Sequence, residues 1–140
     1  MAGVIVLDAS ALIALLDGAD THHLAVSVVL RETAREIWGV SALTLAEVMT
    51  RAAEDEETLV ELSETLADLE LTVDALGWDD VEALAVLRAR SGLRMPDCCV
   101  LLVAQRRGGR ILTTDTTLGR RARALGLDVL ELEESVAGRE

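Results

Sequence analysis

The amino-acid sequence predicts a three-layer α/β/α fold around a mostly parallel sheet. Three observations carry this expectation. Short apolar runs recur at residues 4–7, 37–40, 71–75, 110–114 and 127–132, segments with helical apolar spacing separate them, and no repeat, linker or low-complexity stretch breaks the alternation. Strands that alternate with helices form a mostly parallel sheet covered on both faces. The chain of 140 residues fits one domain, 1–140. At that length roughly two-thirds of the unfolded surface is buried on folding.

The elements follow in order. The run Val4-Ile5-Val6-Leu7 ends at Asp8, after which Leu12, Leu15 and Leu16 keep helical spacing until Gly18. A second helix is expected over 21–35 and a strand over 37–40. Ser41 and Thr44 offer caps for a helix bearing Leu45, Val48 and Met49, and Thr44-x-x-Glu47 has the form of a capping box. Residues 54–70 hold eight acids and no base, with Leu59, Leu62, Leu66 and Leu69 spaced by three and four, the pattern of an amphipathic helix. A strand over 71–75 and a helix over 78–90 follow, with Gly92 as the stop. Pro96 suits the first turn of the next helix, through Gln105, because its missing N–H needs no partner there. Gly108 and Gly109 end that helix. Then come a strand over 110–114, a helix over 115–125 and a last strand over 127–132.

Apolar residues make up 51% of the chain but aromatic ones only 1%, so Ala, Leu and Val must fill the core. The longest uninterrupted apolar run, 98–104, is far short of the roughly 20 residues that cross a bilayer. No basic residue precedes Arg31 and Asp8 interrupts the first apolar run, unlike a secretory leader. A soluble, cytoplasmic protein with no membrane partner is expected. Cys98 and Cys99 are sequence neighbours, and a bridge between them would strain the peptide, so reduced buried thiols are expected. Two thiols with no Cys or His nearby do not resemble a zinc site either. Trp38 and Trp78 are read as core or interface packing, and His22 and His23 as the start of a surface helix, without a catalytic role.

A net charge of −12 argues against general nucleic-acid binding. Its distribution argues differently. All 13 basic residues are Arg, and nine of them lie between Arg88 and Arg123, where Asp97 and Asp115 are the only acids; that segment is +7, and the remainder, with four Arg and 23 acids, is −19. Such asymmetry suggests an anion-facing side, with Arg88, Arg90, Arg94, Arg106, Arg107 and Arg110 as first candidates.

In sheets of this kind ligands bind beyond the carboxyl ends of the strands. Asp8 and Asp115 each follow a strand directly, and Asp97 opens a helix. Taken singly, Asp8, Asp97, Asp115 and Glu47 are ordinary capping or first-turn acids. Context changes the reading, because a strand that runs into an Asp, a small residue and a helix occurs at Asp8-Ala9-Ser10 and again at Asp115-Thr116-Thr117. Carboxylates that converge on one crevice repel each other unless a cation is present. Oxygen-only ligands favour Mg²⁺ or Mn²⁺, and such an ion makes phosphodiester hydrolysis accessible without a Ser, His or Cys nucleophile.

From Val4-Ile5-Val6-Leu7-Asp8-Ala9-Ser10 to Leu127-Asp128-Val129, the chain resembles a PIN domain, most closely the VapC-type toxins of bacterial toxin–antitoxin pairs. The family's second acid matches Glu47 in Ser41-Ala42-Leu43-Thr44-Leu45-Ala46-Glu47-Val48, its third Asp97 in Met95-Pro96-Asp97, and its fourth Asp115 in Ile111-Leu112-Thr113-Thr114-Asp115. The resemblance implies Mg²⁺- or Mn²⁺-dependent cleavage of RNA, with Asp8, Asp97 and Asp115 nearest the metal, Glu47 completing the pocket, and Ser10 and Thr113 as polar supports. Many relatives carry a further acid soon after the fourth. Here Thr116, Thr117 and Leu118 follow, which puts a second metal in doubt. An antitoxin partner and a homodimer are also implied, and the leucine stripe of residues 59–69 beside its eight acids would suit a basic partner segment. The main rival is a non-catalytic PIN-like regulatory or scaffolding module. An aspartyl-nucleophile phosphohydrolase fits less well, since Ser10 stands where a second Asp would be wanted and the chain has no Lys.

Overall fold

The computed structural model describes residues 3–133. Val4–Leu7 forms strand β1, in which β-branched side chains suit a surface packed on both faces. Helices α1 (Ala9–Leu16) and α2 (His23–Glu32) lead to β2 (Ile37–Ser41), then α3 (Ala42–Thr50), α4 (Glu56–Asp68) and β3 (Thr72–Asp74). Helices α5 (Val81–Ser91) and α6 (Met95–Arg107), strand β4 (Arg110–Leu112) and helix α7 (Thr116–Ala124) complete the order. The four strands are all parallel, in the order β3-β2-β1-β4. Two strands in register with β1, Val4 opposite Ile37 and Ile5 opposite Arg110, make the first strand of the chain the centre of its sheet.

Strand alternation divides the core into two layers. Val6 and Ile111 face α5, α6 and α7, packing with Leu87, the buried run from Cys98 to Ala104, Leu118 and Ala122. Ile5, Leu7 and Leu112 face the other way, onto Ala11, Leu12, Val26, Leu30, Val48 and Leu66. The expected three-layer α/β/α arrangement is therefore present. Among the described residues no helix is long and apolar enough to cross a membrane.

Local differences from the expectations have physical causes. The cap of α3 is Ser41, whose hydroxyl accepts the Thr44 N–H at 3.0 Å. Thr44 is buried in the first turn, so the expected Thr44–Glu47 capping box is not formed and Glu47 has no capping task. Helix α4 starts late because Asp55 caps it, behind a short 3₁₀ turn at Ala52–Glu54. The last expected strand reduces to a single parallel bridge between Ile111 and Val129, with the Ile111 N–H on Asp128 O at 2.9 Å and the Leu130 N–H on Ile111 O at 2.8 Å. A three-residue β4 offers little more to pair with.

Gly92 and Gly108 end α5 and α6 in left-handed conformations (φ 70° and 61°), as Gly after a helix permits. Leu62, Leu66 and Leu69 pack on the chain's own second core layer, so most of the leucine stripe is satisfied internally. Trp38 is half-buried and donates to Thr33 O, whereas Trp78 is 86% exposed and packs in no core.

Gly119 is buried within α7, and a Cβ added there would sit 3.7 Å from Val129 Cγ1 and 3.9 Å from Thr113 Cγ2 and Arg123 Nη1, ordinary contact distances. Gly119→Ala should therefore raise stability by about 1 kcal/mol through helix propensity and the restricted unfolded chain. Chemical denaturation checks this, and a lower midpoint would show that the helix needs the open space.

Candidate active site

Asp8 stands where β1 ends and α1 begins, and it is 4% exposed. Its Oδ1 caps α1 by accepting the Ala11 N–H at 2.9 Å and also accepts the Ser10 hydroxyl at 2.7 Å. Its Oδ2 accepts the Thr113 hydroxyl at 2.6 Å, from the neighbouring strand end. Capping needs only the first oxygen. The second is held by a residue 105 positions away, so the carboxylate is fixed against both strands at the carboxyl edge of the sheet.

Ser10 and Thr113 link this acid to the next strand's turn. The Ser10 hydroxyl accepts the Thr114 N–H at 2.9 Å, and Thr113 Oγ1 accepts the Asp115 N–H at 3.0 Å. Asp115 is the N-cap of α7, with Oδ1 on the Thr117 and Leu118 N–H groups, and is exposed. Asp97 lies half-buried in the first turn of α6, after Pro96. Glu47 projects from the second turn of α3, and its carboxylate is 3.9 Å from the Arg94 guanidinium.

The electrostatics tie three of the acids together. Burial pushes the Asp8 carboxyl above the ordinary carboxylate value; the Thr113, Ala11 and Ser10 hydrogen bonds oppose this, and the Asp97 charge adds to it. Asp97 is also raised, chiefly by burial, with Arg94 opposing and the Asp115 charge reinforcing. Glu47 joins the group through Arg94, which lies near both Glu47 and Asp97. Burial raises the thiols of Cys98 and Cys99, free and buried on α6, so they stay protonated.

Which cation such donors suit follows from their chemistry. All are carboxylate oxygens, as hard divalent ions prefer. Yet among the described residues no three His, Cys, Asp or Glu side chains are drawn together as a ready-made metal cluster. The set fits an ion that keeps several of its waters, as Mg²⁺ does, rather than one enclosed by protein ligands.

Most of the expected anion-facing arginines have structural partners. Arg107 forms a bidentate pair with Asp74, both contacts 2.7 Å, Arg110 pairs with Glu36 at 2.7 Å, and Arg106 pairs with Asp80. Arg110 opens β4, at the sheet edge opposite Asp8 and Asp115. Arg88 donates to Gly92 O and Leu93 O at the end of α5. Arg90 and Arg94 are exposed, and only Arg94 neighbours the acids.

A family profile, the PIN domain, matches residues 5–124. The chain belongs to the PIN domain family. PIN domains are generally nucleases and typically use divalent metals. Their fold is also seen in FitAcB from Neisseria gonorrhoeae, 19% identical, TM-score 0.71, covering 91% of this chain and 96% of that one. A toxin–antitoxin complex from Klebsiella pneumoniae is 23% identical, TM-score 0.70, covering 94% and 99%. VapBC2 from Rickettsia felis, bound to a DNA fragment from its promoter, is 14% identical, TM-score 0.70, covering 93% and 99%. At these identities the likeness is one of fold. No curated protein matches the sequence.

The raised carboxyls of Asp8 and Asp97 make the stability of this PIN domain depend on pH. A carboxyl whose pKa is raised in the folded state keeps its proton where the unfolded chain has lost it, so folding is favoured below the ordinary value of 3.8 and that advantage is lost as pH rises through the raised value. Asp8→Asn keeps an oxygen to cap Ala11 and removes the buried charge. In metal-free buffer the variant should melt above wild type at neutral pH, with the gap closing as pH falls towards 3.8. Equal melting temperatures throughout would show that the charge carries no cost.

Proposed function

We propose that this PIN domain is a Mg²⁺- or Mn²⁺-dependent endoribonuclease that cleaves RNA phosphodiester bonds, and that it is the toxin of a VapBC-type toxin–antitoxin pair. The observation that carries the reading is Asp8: a buried carboxylate held by Ser10 of α1 and by Thr113 just after β4, within electrostatic reach of Asp97, which in turn feels Asp115. Asp8, Asp97 and Asp115 would hold the metal, with Glu47 completing the pocket. When bound, the ion lowers the pKa of water and polarises the phosphoryl centre.

The chain's own residues do the positioning. Ser10 and Thr113 orient both oxygens of Asp8, and the turn after β4 aims Asp115 from the N-terminus of α7. Arg94, beside Glu47 and Asp97, is the foremost candidate to meet the RNA backbone, with the exposed Arg90 of α5 as a second. Arg88, Arg106, Arg107 and Arg110 would contribute through the general field, since their guanidinium groups already serve the fold. The fold shared with toxin–antitoxin complexes supports a cognate antitoxin as partner; a homodimer and a cytoplasmic place of action belong to the same proposal.

The test is cleavage of structured RNA by purified chain, freed of inhibitor, in Mg²⁺ or Mn²⁺ and not in Ca²⁺ or EDTA. Turnover that persists in EDTA would refute the metal mechanism. Co-expression with the product of the adjacent reading frame, followed by light scattering, tests the partner and the dimer. A chain that ignores that product and does not slow growth is a free-standing nuclease.

A further inference from the structure

A cavity of about 310 Å³ opens beside Asp115 and is lined in part by His22, Thr113, Asp115, Gly119, Arg123 and Glu131, with no residue of α6 in its lining. Positions 115, 119 and 123 lie four residues apart and so share one face of α7. The middle position is glycine. A Cβ at Gly119 would lie 3.9 Å from Arg123 Nη1 and 3.9 Å from Thr113 Cγ2, so the Arg123 guanidinium folds back along the helix, over the gap, towards the turn that carries Thr113 and Asp115. The cavity lining thus brings a carboxylate, hydroxyls and a planar cation to one space.

We infer that Arg123 holds an RNA backbone phosphate next to the one being cleaved, as a positioning residue outside the carboxylate group. This rests on the ribonuclease reading. A cluster of acids repels a polyanion, and the strand needs a counter-charge close enough to fix its register but displaced from the cleaved bond. A guanidinium suits the task, because its fork of donors matches two phosphate oxygens at once. Among the described residues Arg123 makes no ion pair within 4 Å, in contrast to Arg106, Arg107 and Arg110. Glu131 on the same cavity wall tempers the positive field, and His22 adds an imidazole to the lining.

The test uses a short fluorescein-labelled single-stranded RNA and the full chain carrying Asp97→Asn, which blocks cleavage, with anisotropy recorded over a range of KCl concentrations. Arg123→Gln should weaken binding about tenfold and reduce the slope of log K against log salt by about 0.7, one phosphate contact on a single strand. Arg123→Lys should restore most of the slope, since the charge returns. Glu131→Gln should tighten binding. Arg121→Gln, an exposed position of the same helix outside the cavity, should change the slope less than Arg123→Gln. In the chain that keeps Asp97, melting temperatures with and without Mg²⁺ should match wild type for Arg123→Gln, which separates a phosphate contact from damage to the metal site. If the parent binds and wild type cleaves while Arg123→Gln equals Arg121→Gln, the inference is overturned and the ribonuclease reading stands. If the parent does not bind and wild type does not cleave, both fail together.

Discussion

Asp97→Asn should reduce RNA cleavage by about a thousandfold, equivalent to about 4 kcal/mol of barrier height, while the chain stays folded. The substitution preserves size, and in the structure Asp97 makes no hydrogen bond that holds α6; that helix starts on Arg94 and Pro96. What it removes is one negative charge between Arg94 and the other two aspartates. Relief of the Asp8 carboxyl, which the Asp97 charge pushes up, should bring a small rise in metal-free melting temperature. Loss of activity with gain of stability is the signature of a group kept for chemistry. A variant that keeps most of the wild-type rate would remove Asp97 from the site.

Thr113→Val should lose less activity but more stability, for a different reason. Valine has the shape of threonine but no hydroxyl, so Asp8 Oδ2 loses its 2.6 Å donor and the Asp115 N–H its 3.0 Å acceptor, both at a position only 7% exposed. Groups stranded in this way cost about 1–3 kcal/mol of stability. Activity should fall about 10- to 100-fold, as when an outer partner of a metal ligand is lost. Because the Thr113 hydrogen bond is the strongest influence holding the Asp8 carboxyl down, its removal lets the pKa climb further. The acid limb of the pH–rate profile should then move to higher pH. Thr113→Ser, which restores the hydroxyl, should return the profile to its wild-type position. A valine variant with wild-type stability and an unshifted limb would make Thr113 a space filler.

Legibility of the sequence followed the range of the interaction. The Pro96 helix start and the Gly92 and Gly108 stops are set by interactions within a few residues and fall where the sequence places them, and β1, though its partners are distant, is marked by its own β-branched run. The carboxylates were legible as candidates because Asp8 and Asp115 sit at strand ends, which period and chain order reveal. The ion pairs of the arginines were not. Arg107 meets Asp74 across 33 residues, Arg106 meets Asp80 across 26 and Arg110 meets Glu36 across 74, and no local pattern encodes such pairings. Of the two caps the sequence offers, Ser41 is the one used: it ends β2 and accepts the Thr44 N–H, which places Thr44 inside the first turn. The open face at Gly119 was illegible too, since a glycine within a helical pattern gives no sign of what borders it.

The position of β1 at the centre of the sheet bears on how the protein is made. During synthesis from the amino end, the first strand emerges early and can pair with β2, but its other side stays bare until β4 has left the ribosome. Asp8 acquires its Thr113 donor only then, after 105 further residues. An incomplete nascent chain therefore has the first of its carboxylates and neither the strand nor the hydroxyl that orients it. Competence for the proposed chemistry waits on β4, and a nascent chain that stops short of that strand carries Asp8 without its second partner.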